Sequence, residues 1–224
     1  MSWLERAAST PTRMAVCALV AFSGLLGCAL AAGELLALAE RPDGSTGFDA
    51  RVTSWAVSTR TGALTSLARW CSDVGSTKVI VPLVAVGAIW LLWRRRWVSA
   101  GLLVLAWGGS VGLYNLAKPV VDRPRPPAGI QLQTAAGSSF PSGHATQSLS
   151  TFLAVMVVLV ATSSRWRLPG WVLVAVLAGA IGWSRVYLGM HWATDVAAGW
   201  LIGGLWVTVM VWLARRARHM TTDT

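Results

Sequence analysis

Long runs of apolar residues, separated by short polar segments, dominate the chain. Most of these runs approach the ~20 residues that an α-helix needs to cross a bilayer. We therefore predict a membrane protein with six spanning helices. The predicted spans are Met14–Leu38, Lys78–Trp93, Trp97–Ala117, Ser142–Ala161, Leu168–Tyr187 and Asp195–Ala214. The second run is short for a span, so we expect its helix to include Ser76 and Thr77.

The longest polar stretch, residues 40–76, joins the first and second predicted spans. Asp43, Gly44 and Gly47 mark turns at its start. Apolar side chains then recur at roughly helical spacing, with arginines between them. This pattern predicts one or two amphipathic helices that lie on the outer membrane interface. A cap over a functional site is the alternative.

The composition supports an integral membrane protein. Of the 224 residues, 54% are hydrophobic and 12% are charged, and the mean hydropathy is +0.56. A soluble domain of this length carries about 25% charged residues. We therefore expect one all-α, polytopic membrane domain that covers residues 1–224.

The formal net charge of +10 would suggest a nucleic-acid partner in a soluble protein. Here many arginines cluster at the ends of apolar runs, as in Arg94–Arg96, and no basic stripe with interleaved aromatic residues occurs outside the spans. This distribution favours contact with anionic lipid head groups and argues against nucleic-acid binding.

The distribution of lysine and arginine predicts the orientation of the chain. The numbers of lysines and arginines on the two sides nearly balance, but those on the predicted inner side are packed tightly against span ends. On the other side, Lys118, Arg125 and Arg185 belong to polar strings and are candidates for chemistry. We predict that both termini are cytoplasmic, which places all the polar strings on the outer face.

The three cysteines, Cys17, Cys28 and Cys71, have neither CxxC nor Cys/His metal-site spacing. We expect free thiols. Residues 25–28 loosely resemble a bacterial lipoprotein processing box, but the apolar run continues well past Cys28. An uncleaved span is therefore the expectation.

The first polar string contains Lys118, Arg123 and Arg125, each of which precedes a proline. Such residues are disfavoured in helices, so the third span should end near Lys118 and the chain should run extended through Pro127. An extended backbone points Arg123 and Arg125 the same way. Guanidinium and ammonium groups suit phosphate oxygens. The alternative is a snorkelling lysine followed by a solvated arginine loop.

The second string, Pro141–His144, opens an apolar run. Ser142 is well placed to cap the helix, and Gly143 lets a ligand approach the backbone. The first amides of that helix form an anion site, which His144 can face. An ordinary cap followed by an interfacial histidine is the alternative.

The third string contains Ser184, Arg185, His191 and Asp195. Because a charge that faces lipid is costly, Arg185 should face a polar cavity. His191 and Asp195 are four residues apart, the spacing of one helix face. A carboxylate there can accept the proton of one ring nitrogen and leave the other lone pair exposed.

A histidine held in this way can be a general base, a metal ligand or a nucleophile. An interfacial His–Asp pair with an arginine anchor is the structural alternative. A metal site needs more ligands than two histidines and one aspartate readily supply, unless phosphate joins them.

In this order, the three strings resemble the signature motifs of the type 2 phosphatidic acid phosphatase family, which is related to vanadium haloperoxidases. The motifs are Lys-x6-Arg-Pro, Pro-Ser-Gly-His and Ser-Arg-x5-His-x3-Asp, and every motif position agrees. They cover residues 118–195, and the six-span plan extends the resemblance over most of the chain.

The resemblance implies hydrolysis through a phosphohistidine, with no metal and no cofactor. His191 would attack phosphorus, and Asp195 would orient His191. His144 would protonate the leaving oxygen and then activate water. The residues implied to bind the phosphate oxygens are Lys118, Arg125, Ser142, Gly143 and Arg185. Arg123 is only a possible helper.

The resemblance therefore implies an integral-membrane lipid phosphatase whose partners are membrane lipids. Its substrate would be a prenyl diphosphate, phosphatidylglycerol phosphate or phosphatidic acid, with the phosphate or diphosphate at the outer leaflet. One alternative is a phosphotransferase that passes the phosphoryl group to a lipid or sugar. Another is a non-catalytic protein that binds lipid phosphate. The sequence leaves the oligomeric state open.

Overall fold

The described part of the chain consists of helices joined by loops. The computed structural model describes residues 3–160 and 164–222, with side chains in 15–158 and 165–215, and no strand occurs in these residues. The α-helices are α1 (Trp3–Ala39), α2 (Gly47–Ser58), α3 (Gly62–Val74), α4 (Thr77–Trp93), α5 (Trp97–Val121), α6 (Gly143–Val155), α7 (Ser164–Tyr187) and α8 (Ala193–Thr222). A 3₁₀ turn covers Ala128–Ile130, and a π-helical turn, Met156–Val160, continues α6.

Four of these helices are long and apolar enough to cross a membrane. Their spanning parts are Ala15–Ala39, Trp97–Val121, Arg165–Tyr187 and Ala193–Arg215. α3 and α4 are bent by 41° at their junction, and together they qualify as a fifth span. The chain is therefore a multi-pass membrane protein with four or five candidate spans. The six-span arrangement stays a prediction, because α4 has 17 residues and α6 has 13.

The third predicted span does not end near Lys118, as the prolines suggested. α5 continues through Pro119 to Val121. The proline removes one amide donor, but the Asp122 amide donates to the carbonyl of Lys118 at 3.0 Å and closes the last turn. Asp122 then adopts a left-handed conformation with φ of 42°, and the helix ends there.

Residues 40–76 form α2 and α3, which pack against the end of α7 and the start of α8. Arg60, between these two helices, donates to the carbonyl oxygens of Tyr187 at 2.7 Å and Ile130 at 2.8 Å. Ala56 and Ala68 are buried against the protein, whereas Trp55 and Trp70 are exposed. A location on the membrane interface stays a prediction.

α6 packs closely against α8 because glycines of α8 face it. A Cβ atom on Gly203 would lie 2.6 Å from the carbonyl oxygen of Thr146, and one on Gly199 would lie 2.8 Å from that of Ser142. The Ser142 amide donates to the backbone carbonyl of Asp195 at 3.0 Å. The starts of these two helices are thereby fixed side by side.

The three cysteines are free thiols, as predicted, and Cys71 is buried.

Candidate active site

The three polar strings meet at one end of the helix bundle. The first string lies at the end of α5 and in the segment after it, and the second opens α6. The third runs from the last turn of α7 to the first turn of α8. The sequence-predicted residues thus lie close together, although they are distributed over four helices and two loops.

His191 lies in the loop between α7 and α8, and it is 3% exposed. Its Nδ1 atom lies 2.8 Å from the carbonyl oxygen of Ser139 and 3.6 Å from Oδ2 of Asp195. A carbonyl oxygen only accepts hydrogen bonds, so Nδ1 carries the proton. Nε2 is therefore unprotonated, and its lone pair accepts a long hydrogen bond from Nη1 of Arg125 at 3.4 Å.

The pairing of His191 with Asp195 differs from the expectation of a shared helix face. α8 begins at Ala193, so His191 precedes the helix. The Ser139 carbonyl, which the sequence did not indicate, takes the shorter contact to the ring. Burial, reinforced by the positive charges of Arg185 and Arg125, lowers the pKa of His191 to about 4, although Asp195 opposes this shift. The ring is neutral at pH 7.

Asp195 is fully buried in the first turn of α8. Its Oδ2 atom accepts hydrogen bonds from the Ser139 hydroxyl and from the Trp192 amide at 2.9 Å. Its Oδ1 atom accepts a charge-assisted bond from Nη1 of Arg123 at 2.6 Å. Both oxygens are therefore held, and the plane of the carboxylate is fixed.

His144 lies in the first turn of α6 and is half-buried. It interacts electrostatically with Arg185, His191 and Lys118. The second histidine thus faces the same cluster of charges as the first, although the two belong to different elements.

Two of the predicted phosphate-binding cations contact loop carbonyls. Nζ of Lys118 donates to the carbonyl of Ser138 at 2.7 Å. Arg125 donates to the carbonyls of Gly137 at 2.9 Å and Met190 at 2.6 Å. Arg125 is thereby held beside His191, and Lys118 is held at the loop residue before Ser139, whose carbonyl contacts the ring of His191.

Arg185 is 4% exposed at the end of α7. Its Nη1 atom donates to the Ser72 hydroxyl and to Oε1 of Gln133 at 3.0 Å. Its Nε atom is buried and has no hydrogen-bond partner within the described residues. Ser72 and Gln133 therefore orient the guanidinium group while one of its donors is left available.

Ser142 precedes α6 at the N-cap position, but its side chain makes no capping bond. The expectation of a capping serine is therefore met by position only. Its buried hydroxyl has no partner in the part of the chain that the structure describes. Gly143 follows, and a Cβ atom there would lie 3.2 Å from the ring of Tyr114. Unpartnered buried donors are rare in proteins and call for an explanation such as a ligand.

Several residues of the site were not predicted from the sequence, namely Ser139, Ser72, Gln133, Glu40 and Asp49. All lie outside the three motifs, in loops or in α2 and α3. The one available signal is the spacing of Thr46 and Asp49, which fits a capping box that the structure contains. That spacing predicts a helix start and does not predict contact with a distant site.

No group of three or more histidine, cysteine, aspartate or glutamate side chains with the geometry of a metal site occurs among the described residues. The positively charged side chains are the groups in this site that can neutralise an anion.

Residues 99–219 match the sequence model of the PAP2 superfamily. The chain belongs to the PAP2 superfamily. This PAP2 protein is 29% identical over 174 residues to phosphatidylglycerophosphatase B of Bacillus subtilis (strain 168), which covers 75% of this chain and 84% of the relative. It is 32% identical over 152 residues to an undecaprenyl-diphosphatase of Sulfolobus acidocaldarius, covering 66% of this chain and 68% of the relative.

Its fold resembles the crystal structure of a transmembrane PAP2-type phosphatidylglycerolphosphate phosphatase from Bacillus subtilis. The TM-score is 0.73 at 24% sequence identity, with 85% of this chain and 96% of the other covered. Family and relatives together identify this PAP2 protein as a phosphoric ester hydrolase, and its long apolar helices make it a multi-pass membrane protein.

Proposed function

We propose that this PAP2 protein hydrolyses the phosphate or diphosphate ester of a membrane lipid through a phosphohistidine on His191, without a metal. The observation that carries the proposal is the hydrogen bond from Nδ1 of His191 to the Ser139 carbonyl. It leaves the Nε2 lone pair as the nucleophile. The low pKa of this ring keeps the lone pair unprotonated at neutral pH.

The phosphoryl group would lie at the start of α6. The first amides of the helix, including that of Gly143, point toward this position. The free donors Ser142 Oγ and Arg185 Nε support the same placement. Lys118 and Arg125 add positive charge on the side of His191. These groups would bind the non-bridging oxygens and stabilise the charge that develops on them.

Catalysis would proceed in two displacements. In the first, Nε2 of His191 forms a bond to phosphorus, the bond from phosphorus to the ester oxygen breaks, and His144 gives its proton to that oxygen. In the second, His144 takes a proton from water, whose oxygen attacks phosphorus and releases His191 and phosphate. Asp195 would stabilise the positive charge on the phosphorylated ring.

The substrate class follows from the relatives and from the placement of the site. Two relatives are named as phosphatases of phosphatidylglycerophosphate and undecaprenyl diphosphate. The site lies at the ends of apolar helices, where a lipid head group can enter while its tail stays in the bilayer. We propose an anionic lipid monophosphate or diphosphate in the outer leaflet, with both termini of the chain in the cytoplasm.

Phosphate release from a panel of lipids tests the proposal. The panel contains a prenyl diphosphate, phosphatidylglycerol phosphate and phosphatidic acid. His191→Ala should lower turnover at least about 10⁴-fold, because removal of the nucleophile leaves only binding and charge stabilisation. His219→Ala is the matched control, since His219 lies outside the three motifs, and it should retain wild-type turnover.

Three further readouts separate the alternatives. Wild-type activity should persist in EDTA, and a loss that added metal restores would contradict the metal-free mechanism. Phosphate that remains on the wild-type protein after an acid-free quench, but not on His191→Ala, supports the intermediate. Appearance of a phosphorylated lipid or sugar in place of free phosphate would contradict hydrolysis and favour a phosphotransferase. Full activity of His191→Ala would contradict both the hydrolase and the phosphotransferase.

A further inference from the structure

We infer that Arg123 and Asp49 are positioning residues of this active site, which hold Asp195 and, through it, His191. The inference rests on the proposed function, because it assigns these residues a task in support of the nucleophile. It also gives the start of α2, which lies outside the three motifs, a part in holding the nucleophile in place.

Arg123 is 2% exposed, and its guanidinium group contacts three carboxylates. Its nitrogen atoms lie 2.6 Å from Oε1 of Glu40, 2.8 Å from Oδ2 of Asp49 and 2.6 Å from Oδ1 of Asp195. It also donates to the carbonyl of Gly44 at 3.0 Å. Each edge of the guanidinium plane is therefore bonded to protein oxygens.

This pattern separates Arg123 from the other cations of the site. Lys118 and Arg125 contact neutral carbonyls, which a phosphate can replace or supplement. Arg123 instead neutralises buried carboxylates, and its donors are occupied. The expectation that Arg123 helps to bind phosphate is therefore replaced by a different task, which is to compensate and orient Asp195.

Asp49, at the start of α2, contacts both Arg123 and the start of α8. It is fully buried in the first turn of α2. Its Oδ1 atom accepts from the Thr194 amide at 3.0 Å, and its Oδ2 atom accepts from the Thr194 hydroxyl at 2.8 Å. Thr194 precedes Asp195 in the first turn of α8. Asp49 therefore holds the backbone next to Asp195 while Arg123 holds its side chain.

The result is a carboxylate whose two oxygens have separate partners. Arg123 fixes Oδ1, which leaves Oδ2 for Ser139, the Trp192 amide and the ring of His191. Only a planar fork can contact Asp195 and Asp49 at once, since the single ammonium group of a lysine lacks this geometry. We therefore expect the guanidinium shape, and not positive charge alone, to be required.

The test compares turnover with ground-state binding in detergent-purified full-length protein. Arg123→Ala should lower kcat about 10- to 100-fold, the range for groups that orient another functional side chain. The inhibition constant of inorganic phosphate should stay within about threefold, because Lys118, Arg125 and Arg185 are unchanged. Added methylguanidinium should restore kcat at least in part, whereas methylammonium should not.

Arg123→Lys should remain impaired, and Asp49→Asn should lower kcat with little change in KM. Arg51→Ala is the matched control, since Arg51 lies exposed on the same helix as Asp49, and it should behave as the wild type. If Arg123→Ala does not yield folded protein, kcat and the inhibition constant of inorganic phosphate are compared in Arg123→Lys and Glu40→Gln instead.

Equal loss of turnover and of phosphate affinity in these variants would overturn the inference, because it would indicate general disruption of the site. Wild-type turnover in Arg123→Ala or Arg123→Lys would overturn it as well. In both cases the proposed function would stand, since that depends on the wild type and on His191→Ala. Absence of lipid phosphate hydrolysis in the wild type would instead contradict the proposed function itself.

Discussion

Two buried serine hydroxyls, those of Ser142 and Ser148, find no partner among the side chains that the structure describes. Ser142 stands at the N-cap of α6, next to the histidine of the second motif. Ser148 lies further along the same helix. The two hydroxyls are similarly buried, but only Ser142 lies at the proposed phosphate position. Comparing them tests whether the Ser142 hydroxyl binds a ligand.

We predict that Ser142→Ala lowers kcat/KM about 10- to 100-fold, because a hydrogen bond to a charged group contributes roughly 1.5–3 kcal/mol. The melting temperature should change little, since the Ser142 hydroxyl makes no hydrogen bond within the described residues. Steady-state kinetics and thermal unfolding measure the two effects. Ser148→Ala is the control, and equal losses of activity in both variants would contradict a specific phosphate contact at Ser142.

At the scale of single residues, the sequence indicated the side chains proposed to bind phosphate and Asp195, which orients His191, but it missed the residues that hold Asp195 and His191 in place. His144, His191 and Arg185 stand out because polar residues interrupt apolar runs. Ser139 and Asp49 give no such signal, since serine and aspartate are common in loops and at helix starts. Their contacts arise only when segments distant in sequence meet.

Among the helices, the contact between α6 and α8 offers a second matched pair. A Cβ atom on Gly203 would lie 2.6 Å from a backbone carbonyl of α6, whereas on neighbouring Gly204 the nearest contact is a leucine side chain at 3.9 Å. A Cβ atom on Gly203 therefore requires the two helices to move apart, whereas one on Gly204 makes an ordinary van der Waals contact.

Gly203→Ala should therefore lower the melting temperature by at least about 3 °C, as expected when a tight contact is overpacked by roughly 1–3 kcal/mol. Its kcat should fall too, because α6 and α8 carry His144 and Asp195 at their starts. Gly204→Ala should leave both values near those of the wild type. A larger effect of Gly204→Ala, measured by thermal unfolding in the same detergent, would contradict this packing.

The helices themselves were largely predictable, because each apolar run corresponds to a helix. Their ends were less so. The prolines after Lys118 were expected to stop α5. The hydrogen bond from the Asp122 amide to the Lys118 carbonyl nevertheless closes the last turn of the helix. The placement of α2 and α3 was left open, since an amphipathic face packs equally well against protein or against the membrane interface.

At the scale of the whole molecule, the prediction to test is the orientation in the membrane, with the active site on the outer face. After replacement of the native cysteines, a cysteine at Ala135, an exposed position in the loop next to the site, should react with an impermeant thiol reagent in intact cells. Lys and Arg near the opposite ends of the helices should keep those ends inside.

A cysteine at Arg94, between α4 and α5, is the control and should react only after the cells are opened. The opposite result for the two positions would invert the proposed topology and place the site on the cytoplasmic leaflet.

Asp195 connects the proposed nucleophile, His191, and the proposed acid and base, His144, through different atoms. Its side chain lies beside His191, and its backbone carbonyl accepts the amide of Ser142, at the start of the helix that carries His144. A tilt of the first turn of α8 therefore shifts both histidines in the same direction. We therefore expect their separation to change little with bilayer thickness and curvature, so the lipid surroundings should alter how fast a substrate arrives more than how fast it reacts.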